Sequence, residues 1–293
     1  MELKLFNLPT KEVYKDLFQP GMQKVGQALS IVLDTATLIL LPLKLLNEKA
    51  RINYDLNLKR YSEKLNQSSN TLTQVQSYVG LPIIEKLTQI GQNELSESFI
   101  NLLTKASFEE TANLVHPAFI TILNNLSADE AKILFFYHKK DRIPYLSFYI
   151  HRYKEEIQKV EDSGVKNAQS IKNIIDYTFQ DREAVYVPYL ERLTGIENEV
   201  DLIYPKNINL YLENLYHNGL IEFENKLINK NDLEKYDNLL NTDYSSIHSD
   251  LKKLLEEAKN KSNESLKFEE QIRKESIKFT NLGRSFIEAC IID

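Results

Sequence analysis

Cysteine, glycine and proline are scarce in this 293-residue chain, which has one Cys, eight Gly and eight Pro. A lone thiol, Cys290, closes no intramolecular disulfide, so the chain is not a disulfide-stapled scaffold and suits a reducing compartment. Few chain-reversing residues, with abundant Leu, Ile, Lys, Glu and Asn, favour long helices over many short strands. The first ten residues lack a basic segment, an apolar core and a small-residue cleavage site. No secretory signal is read there, and the cytoplasm is the expected location. Neither sign of charge dominates: 36 Lys and Arg face 42 Asp and Glu, a net charge of −6. That excludes a general nucleic-acid coat and leaves room for a local basic patch. At 42% hydrophobic and 27% charged residues the composition is globular, which excludes wholesale disorder.

The motifs of common chemistries are missing as well. The five histidines, His116, His138, His151, His217 and His248, show no paired helical spacing, so no local zinc site is read. Gly21 and Gly26 have the spacing of a phosphate loop, but Gln27 stands where its lysine is required. Neither Gly-x-Gly-x-x-Gly nor Gly-x-Ser-x-Gly occurs. Arg142 and His151 are too far apart to share the helix face that a helical ribonuclease would use. Glu109-Glu110 and Glu155-Glu156 are adjacent in sequence and so point to different sides of a helix. No catalytic residue, cofactor or metal is expected, and the chain reads as a non-enzyme.

What is present begins with an apolar stretch. Residues from about Lys11 to Asn66 read as helix. Within them Gly26 to Leu46 is nearly apolar, about the ~20 residues that span a bilayer. Ser30, Asp34, Thr37, Leu41, Lys44 and Glu48 form one stripe. Asp34 would cost about 2.5–3.5 kcal/mol at a bilayer centre, and Pro42 kinks the helix. Three readings stand: a buried helix, favoured; a helix lying on or entering a membrane; and, least favoured because of Asp34, a span. Val32, Asp34, Leu40, Pro42 and Lys44 are its candidate membrane or partner residues. Six cations face three carboxylates between Lys44 and Lys64, so residues 26–64 offer a surface to anionic lipid.

Amphipathic helices follow. One starts at Leu81-Pro82 and runs to Gly91, and another carries Leu95, Phe99, Leu102 and Leu103 and stops near Ala106. His116-Pro117 marks a boundary, and Phe119, Ile120, Leu123 and Leu126 form the next apolar face. Ser127 and Glu130 form a capping box. Asp141 to Tyr153 is ambiguous, and Lys154 to Asp181 reads as an insertion or solvated helix. Then come a helix (Asn207 to Asn218), a strand (Leu220 to Phe223), a long excursion (Asn225 to Gln271) with a helix around Asp250 to Lys261, a second strand (Ser276 to Phe279) and a helix (Arg284 to Cys290). This is the order of a winged-helix domain with an enlarged wing. A reading helix needs cations, and Asn207 to His217 carries only Glu213 as formal charge, which disfavours DNA.

The run Leu114 to Leu134, with His116-Pro117-Ala-Phe119 and then Leu126-Ser127-x-Asp129-Glu130-Ala, resembles the central signature of the Abi-alpha (abortive infection alpha) family. The ending Thr280-x-x-Gly283-x-x-Phe286-x-x-Ala-Cys290 is similar to that family's C-terminal pattern, and Leu40 to Leu43 to its apolar N-terminal helix. The resemblance implies phage resistance and brings no catalytic residues. The signature positions also have structural roles to fill: Pro117 starts a helix, and Ser127 and Glu130 cap one. The expected architecture is mostly α: an N-terminal helical region (1–66), a middle helical domain (67–126) and a C-terminal winged-helix-like α+β domain (127–293). The expected function is a non-enzymatic antiphage defence protein, either a membrane-disturbing effector or an adaptor or sensor. Its partners would be a phage or host protein, or a second copy. A winged-helix DNA-binding regulator is the alternative. At most it would lie peripherally at the inner face of the plasma membrane.

Overall fold

The computed structural model describes residues 22–34, 47–154, 185–224, 233–241, 252–253, 256 and 266–292. They divide between two compact units that the chain enters repeatedly. The first gathers Met1–Lys140, Glu197–Glu222 and Phe279–Asp293, and the second Asp141–Ile196 and Phe223–Lys278.

In chain order the helices are α1 (Gln23–Ala28), α2 (Ser30–Asp34), α3 (Glu48–Gln67), α4 (Ser77–Gln89), α5 (Glu94–Ala106), α6 (Pro117–Asn125), α7 (Ala128–Tyr137), α8 (Ile196–Glu199), α9 (Ile208–His217), α10 (233–241) and α11 (Asn281–Cys290). The strands are β1 (Arg142–Lys154), β2 (Val185–Leu193), β3 (Ile221–Glu224) and β4 (Leu266–Phe279).

The first unit is helical and built around α5. Phe99, Ile100, Leu102 and Leu103 are fully buried, and α3, α4, α6, α7 and α11 all pack on that helix. These neighbours bury its apolar face and its small polar residues Ser96, Ser98 and Asn101 alike. Glycine scarcity shapes the rest. Of these helices only α9 ends on a left-handed glycine, Gly219 at φ 72°, which satisfies terminal carbonyls locally. Four other helix ends obtain side-chain donors from neighbouring elements. Lys24 Nζ donates to Leu65 O at 2.8 Å at the end of α3. Asn57 Nδ2 reaches Leu87 O (2.9 Å) and Ile90 O (3.0 Å) at the end of α4. Asn214 Nδ2 serves Asn125 O on α6 at 2.8 Å, and Asn101 Nδ2 serves Cys290 O on α11 at 3.1 Å. The Asn57 and Asn101 bonds, which are buried, spare the Leu87 and Cys290 carbonyls the cost of burial without a partner.

Several expectations are corrected here. The N-terminal stretch is not one helix from Lys11 to Asn66. The chain turns at Leu29 because Val75 N–H takes the Ala28 carbonyl at 2.8 Å, and Asn47 caps a fresh helix, α3, by accepting from Ala50 N–H. Pro82 lies inside α4, which starts at Ser77 instead of at Leu81. The apolar positions from Ile83 onward keep the expected face.

The second unit holds an antiparallel sheet in the order β2-β1-β4-β3. β1, the ambiguous stretch from Asp141 to Tyr153, pairs with β4 from Arg142↔Lys278 to Lys154↔Leu266. The expected order of helix, strand, excursion, strand and helix is present as α9, β3, β4 and α11. β4, however, runs back to Leu266, and it is paired on both sides, by β1 and β3. On one face Leu146, Phe148 and Tyr236 of α10 form a closed apolar core with Leu190, Leu193 and Ile272. Residues 155–184, and most of the helix expected around Asp250 to Lys261, lie outside the described residues.

Candidate functional site

The signature residues gather where α6 turns into α7 and meets α9 and α11. His116 is exposed and caps α6, its Nδ1 accepting from Ala118 N–H at 3.1 Å, with Pro117 at the first helical position. Phe119, one turn on, is buried and meets Phe286 of α11 edge-on, with ring centroids 5.6 Å apart. Ser127 and Glu130 form the expected capping box: Ser127 N–H donates to Glu130 Oε2 at 2.6 Å, and Glu130 N–H to Ser127 Oγ.

Asp129 is the hub of the arrangement. Only 2% of it is exposed, and it accepts from Ile203 N–H (2.7 Å), Tyr204 N–H (2.9 Å) and the Tyr211 hydroxyl (2.7 Å). Burial pushes its carboxyl up, but the two backbone donors, Tyr211 and nearby Lys132 outweigh burial and hold it below its ordinary value. Conversely, burial and the Asp129 carboxylate push the Tyr211 phenol up to about 12. Glu130 Oε1 accepts from Asn214 Nδ2 at 2.6 Å. With its donors in place, Asp129 acts as a clamp on the segment ahead of α9.

That segment runs along α7 as a strap. Tyr137 donates to Glu199 at 2.9 Å, Lys132 Nζ to Asp201 O at 2.6 Å, and Asp129 holds Ile203 and Tyr204. The strap and the first turn of α9 expose apolar side chains around the clamp: Ile203 is 58% exposed, Tyr204 64% and Leu210 64%. Sequence reasoning missed Ile203, Tyr204 and Tyr211, which carry no motif. The spacing of Tyr211, Asn214 and Asn218 along one side of a helix was the available signal.

At the C-terminal end, Thr280 caps α11 by accepting from Gly283 N–H at 2.9 Å, and its hydroxyl donates to Gly219 O at 2.5 Å. Gly283 lies against the Leu220 carbonyl so closely that any Cβ would clash with it. Cys290 is fully buried, which pushes its thiol well up.

The N-terminal candidates separate. Val32 is buried and packs on Gly80 of α4, where a Cβ would come within 2.5 Å of Val32 Cγ2. Asp34 ends α2; its side chain, and all of Leu40, Pro42 and Lys44, lie outside the described residues. Among the described residues no helix is long and apolar enough to cross a membrane. None of their His, Cys, Asp and Glu side chains group in a way that could hold a metal. Within the basic segment, Arg60 and Lys64 both pair with Glu97, the latter at 2.8 Å.

A family model described as abortive infection alpha matches residues 51–290. No curated protein and no solved structure matches the chain.

Proposed function

The chain belongs to the abortive infection alpha family, and from that premise we propose that it serves antiphage defence in the cytoplasm as a non-enzymatic adaptor or sensor that binds a phage or host protein. The observation that carries this reading is the exposure of Ile203 and Tyr204, whose backbone Asp129 holds, and of Leu210, the residue before Tyr211, which Asp129 also binds. Large apolar side chains left exposed on the anchored strap and on the first turn of α9 are costly to leave in water and have the character of interface anchors. The signature Asp129 thus gains a role in presenting them.

Two competing readings meet obstacles. A membrane-disturbing effector would free the N-terminal helix, yet Val25, Ala28, Leu29 and Val32 are buried in the first unit. A winged-helix DNA reader would use α9, yet Asn214 is engaged by Glu130 and Asn125.

The test is the double variant Tyr204→Asp/Leu210→Asp, assayed for plaque protection, thermal melting and membrane potential on induced expression. Loss of protection with an unchanged melt supports the adaptor. Full protection, or depolarisation that the double variant leaves intact, overturns it.

A further inference from the structure

The helix α3 has two apolar faces. Tyr54, Leu58, Tyr61 and Leu65 are buried and tie it into the first unit. Polar groups fix it there too: Asn57 serves the end of α4, and the Tyr61 hydroxyl shares a 2.6 Å hydrogen bond with Ser107 Oγ. The outward side of such a helix is ordinarily polar, because a surface helix buries one stripe and solvates the rest. Here Ile52 is 49% exposed and Leu56 41%. At a spacing of four residues the two side chains lie together on one face. Scattered exposed apolar residues are ordinary, but a contiguous pair on a rigidly held helix has the character of a contact surface.

The charges that frame this pair indicate what meets it. Glu48, Lys49, Lys59 and Glu63 are all exposed on the outward side. With both signs present, a surface of one sign, such as anionic lipid, meets repulsion as well as attraction there. Their order, by contrast, matches the helix to itself. The midpoint between Ile52 and Leu56 falls at position 54. Glu48 lies about 9 Å before it along the axis and Lys59 about 7.5 Å after it, at about 1.5 Å per residue. The two share one flank of the apolar pair, because their separation is about three full turns. A second α3, turned end for end about a twofold axis at that midpoint, sets its Ile52 and Leu56 against this pair. The same rotation brings Lys59 of each copy to Glu48 of the other. On the opposite flank Lys49 approaches the Arg60 of the other copy, whose charge Glu97 already answers. A parallel pair would instead set Glu48 against Glu48 and Lys59 against Lys59, and would align the two helix dipoles.

We propose that α3 is a homodimerisation surface, pairing antiparallel with α3 of a second copy of this chain. A twofold interface requires a patch complementary to itself, and the apolar centre with its reciprocal Glu48–Lys59 pairs meets that requirement. One helix pair is a small contact, so the dimer is weak and depends on concentration. The proposal goes beyond the adaptor reading and uses a surface other than the strap, so failure of either leaves the other standing.

The experiment is sedimentation equilibrium of the full chain from low to high micromolar concentration. It is repeated for Leu56→Asp, Glu48→Lys, Lys59→Glu, the double reversal Glu48→Lys/Lys59→Glu and the strap variant Tyr204→Asp/Leu210→Asp. The substituted α3 positions are exposed, so their thermal melts should stay near that of the wild type. The wild type is expected to rise with concentration from the mass of one chain towards that of two. Leu56→Asp and each single reversal should weaken association about tenfold or more, and the double reversal should restore it. The strap variant should associate like the wild type. A wild type that stays monomeric throughout, or a dimer indifferent to Leu56→Asp, overturns the proposal. So do reversals that change nothing or combine without rescue, and a dimer lost in the strap variant.

Discussion

Asp129 and Tyr211 share a hydrogen bond of 2.7 Å that joins the first turn of α7 to α9, and two backbone N–H groups complete the same carboxylate. Asp129→Ala leaves the buried Tyr211 hydroxyl and the two part-buried N–H groups without this acceptor. A loss of about 3 kcal/mol is expected in denaturant unfolding, given charge-assisted bonds of about 1.5–3 kcal/mol each and incomplete additivity. Asp129→Asn keeps an acceptor and is expected to cost less.

The same contacts set a pH dependence. Asp129 has a folded-state carboxyl below its unfolded value. Its stabilising contribution is therefore full above the unfolded value near pH 3.9 and is lost as pH falls through the lower folded one. Tyr211 has the opposite sign. Its phenol, raised to about 12, contributes fully below pH 10, and that contribution fades as pH rises towards 12. Melting curves across pH are expected to show a shallower acid limb for Asp129→Asn and a shallower alkaline limb for Tyr211→Phe.

Gly283→Ala tests the close approach to Leu220. With backbone on the receiving side nothing flexible can yield, so a loss at the upper end of the overpacking range, about 3 kcal/mol, is expected. Gly91→Ala is the control: its Cβ would meet only Asn53 Oδ1 at 3.8 Å, and its melt should stay near that of the wild type.

Val32→Lys distinguishes a packed helix from a membrane-entering one. Val32 is 1% exposed, so an unpaired cation there is expected to lower the melting midpoint sharply and to abolish protection with it. Lost protection with an unchanged melt would instead favour insertion.

Cys290 supplies a clock for global opening. Buried, with its thiol pushed up by burial, it should resist disulfide reagents in the native state. Labelling is expected to rise with denaturant in step with loss of helix signal. Rapid labelling of native protein would show local opening of α11.

What the sequence determined by itself is what depends on neighbours along the chain. The capping box at Ser127 and Glu130, the helix boundary at His116-Pro117 and the apolar face of α5 all rest on contacts within one or two turns. They were legible for that reason, as was the family signature. Tertiary structure decided where each segment's polar groups found partners. The scarcity of glycine is visible in the sequence, but only the fold shows Lys24, Asn57, Asn101 and Asn214 supplying the missing helix-end donors. Asn214, on the helix weighed as a DNA reader, is held by Glu130, because α9 lies against α7. Pro82 read as a helix start, yet the turn before it was already ordered by Gln76 O accepting from Gly80 N–H. The strand β1 was ambiguous because it is paired with β4, whose partner positions lie more than a hundred residues away, a pairing that no local pattern encodes.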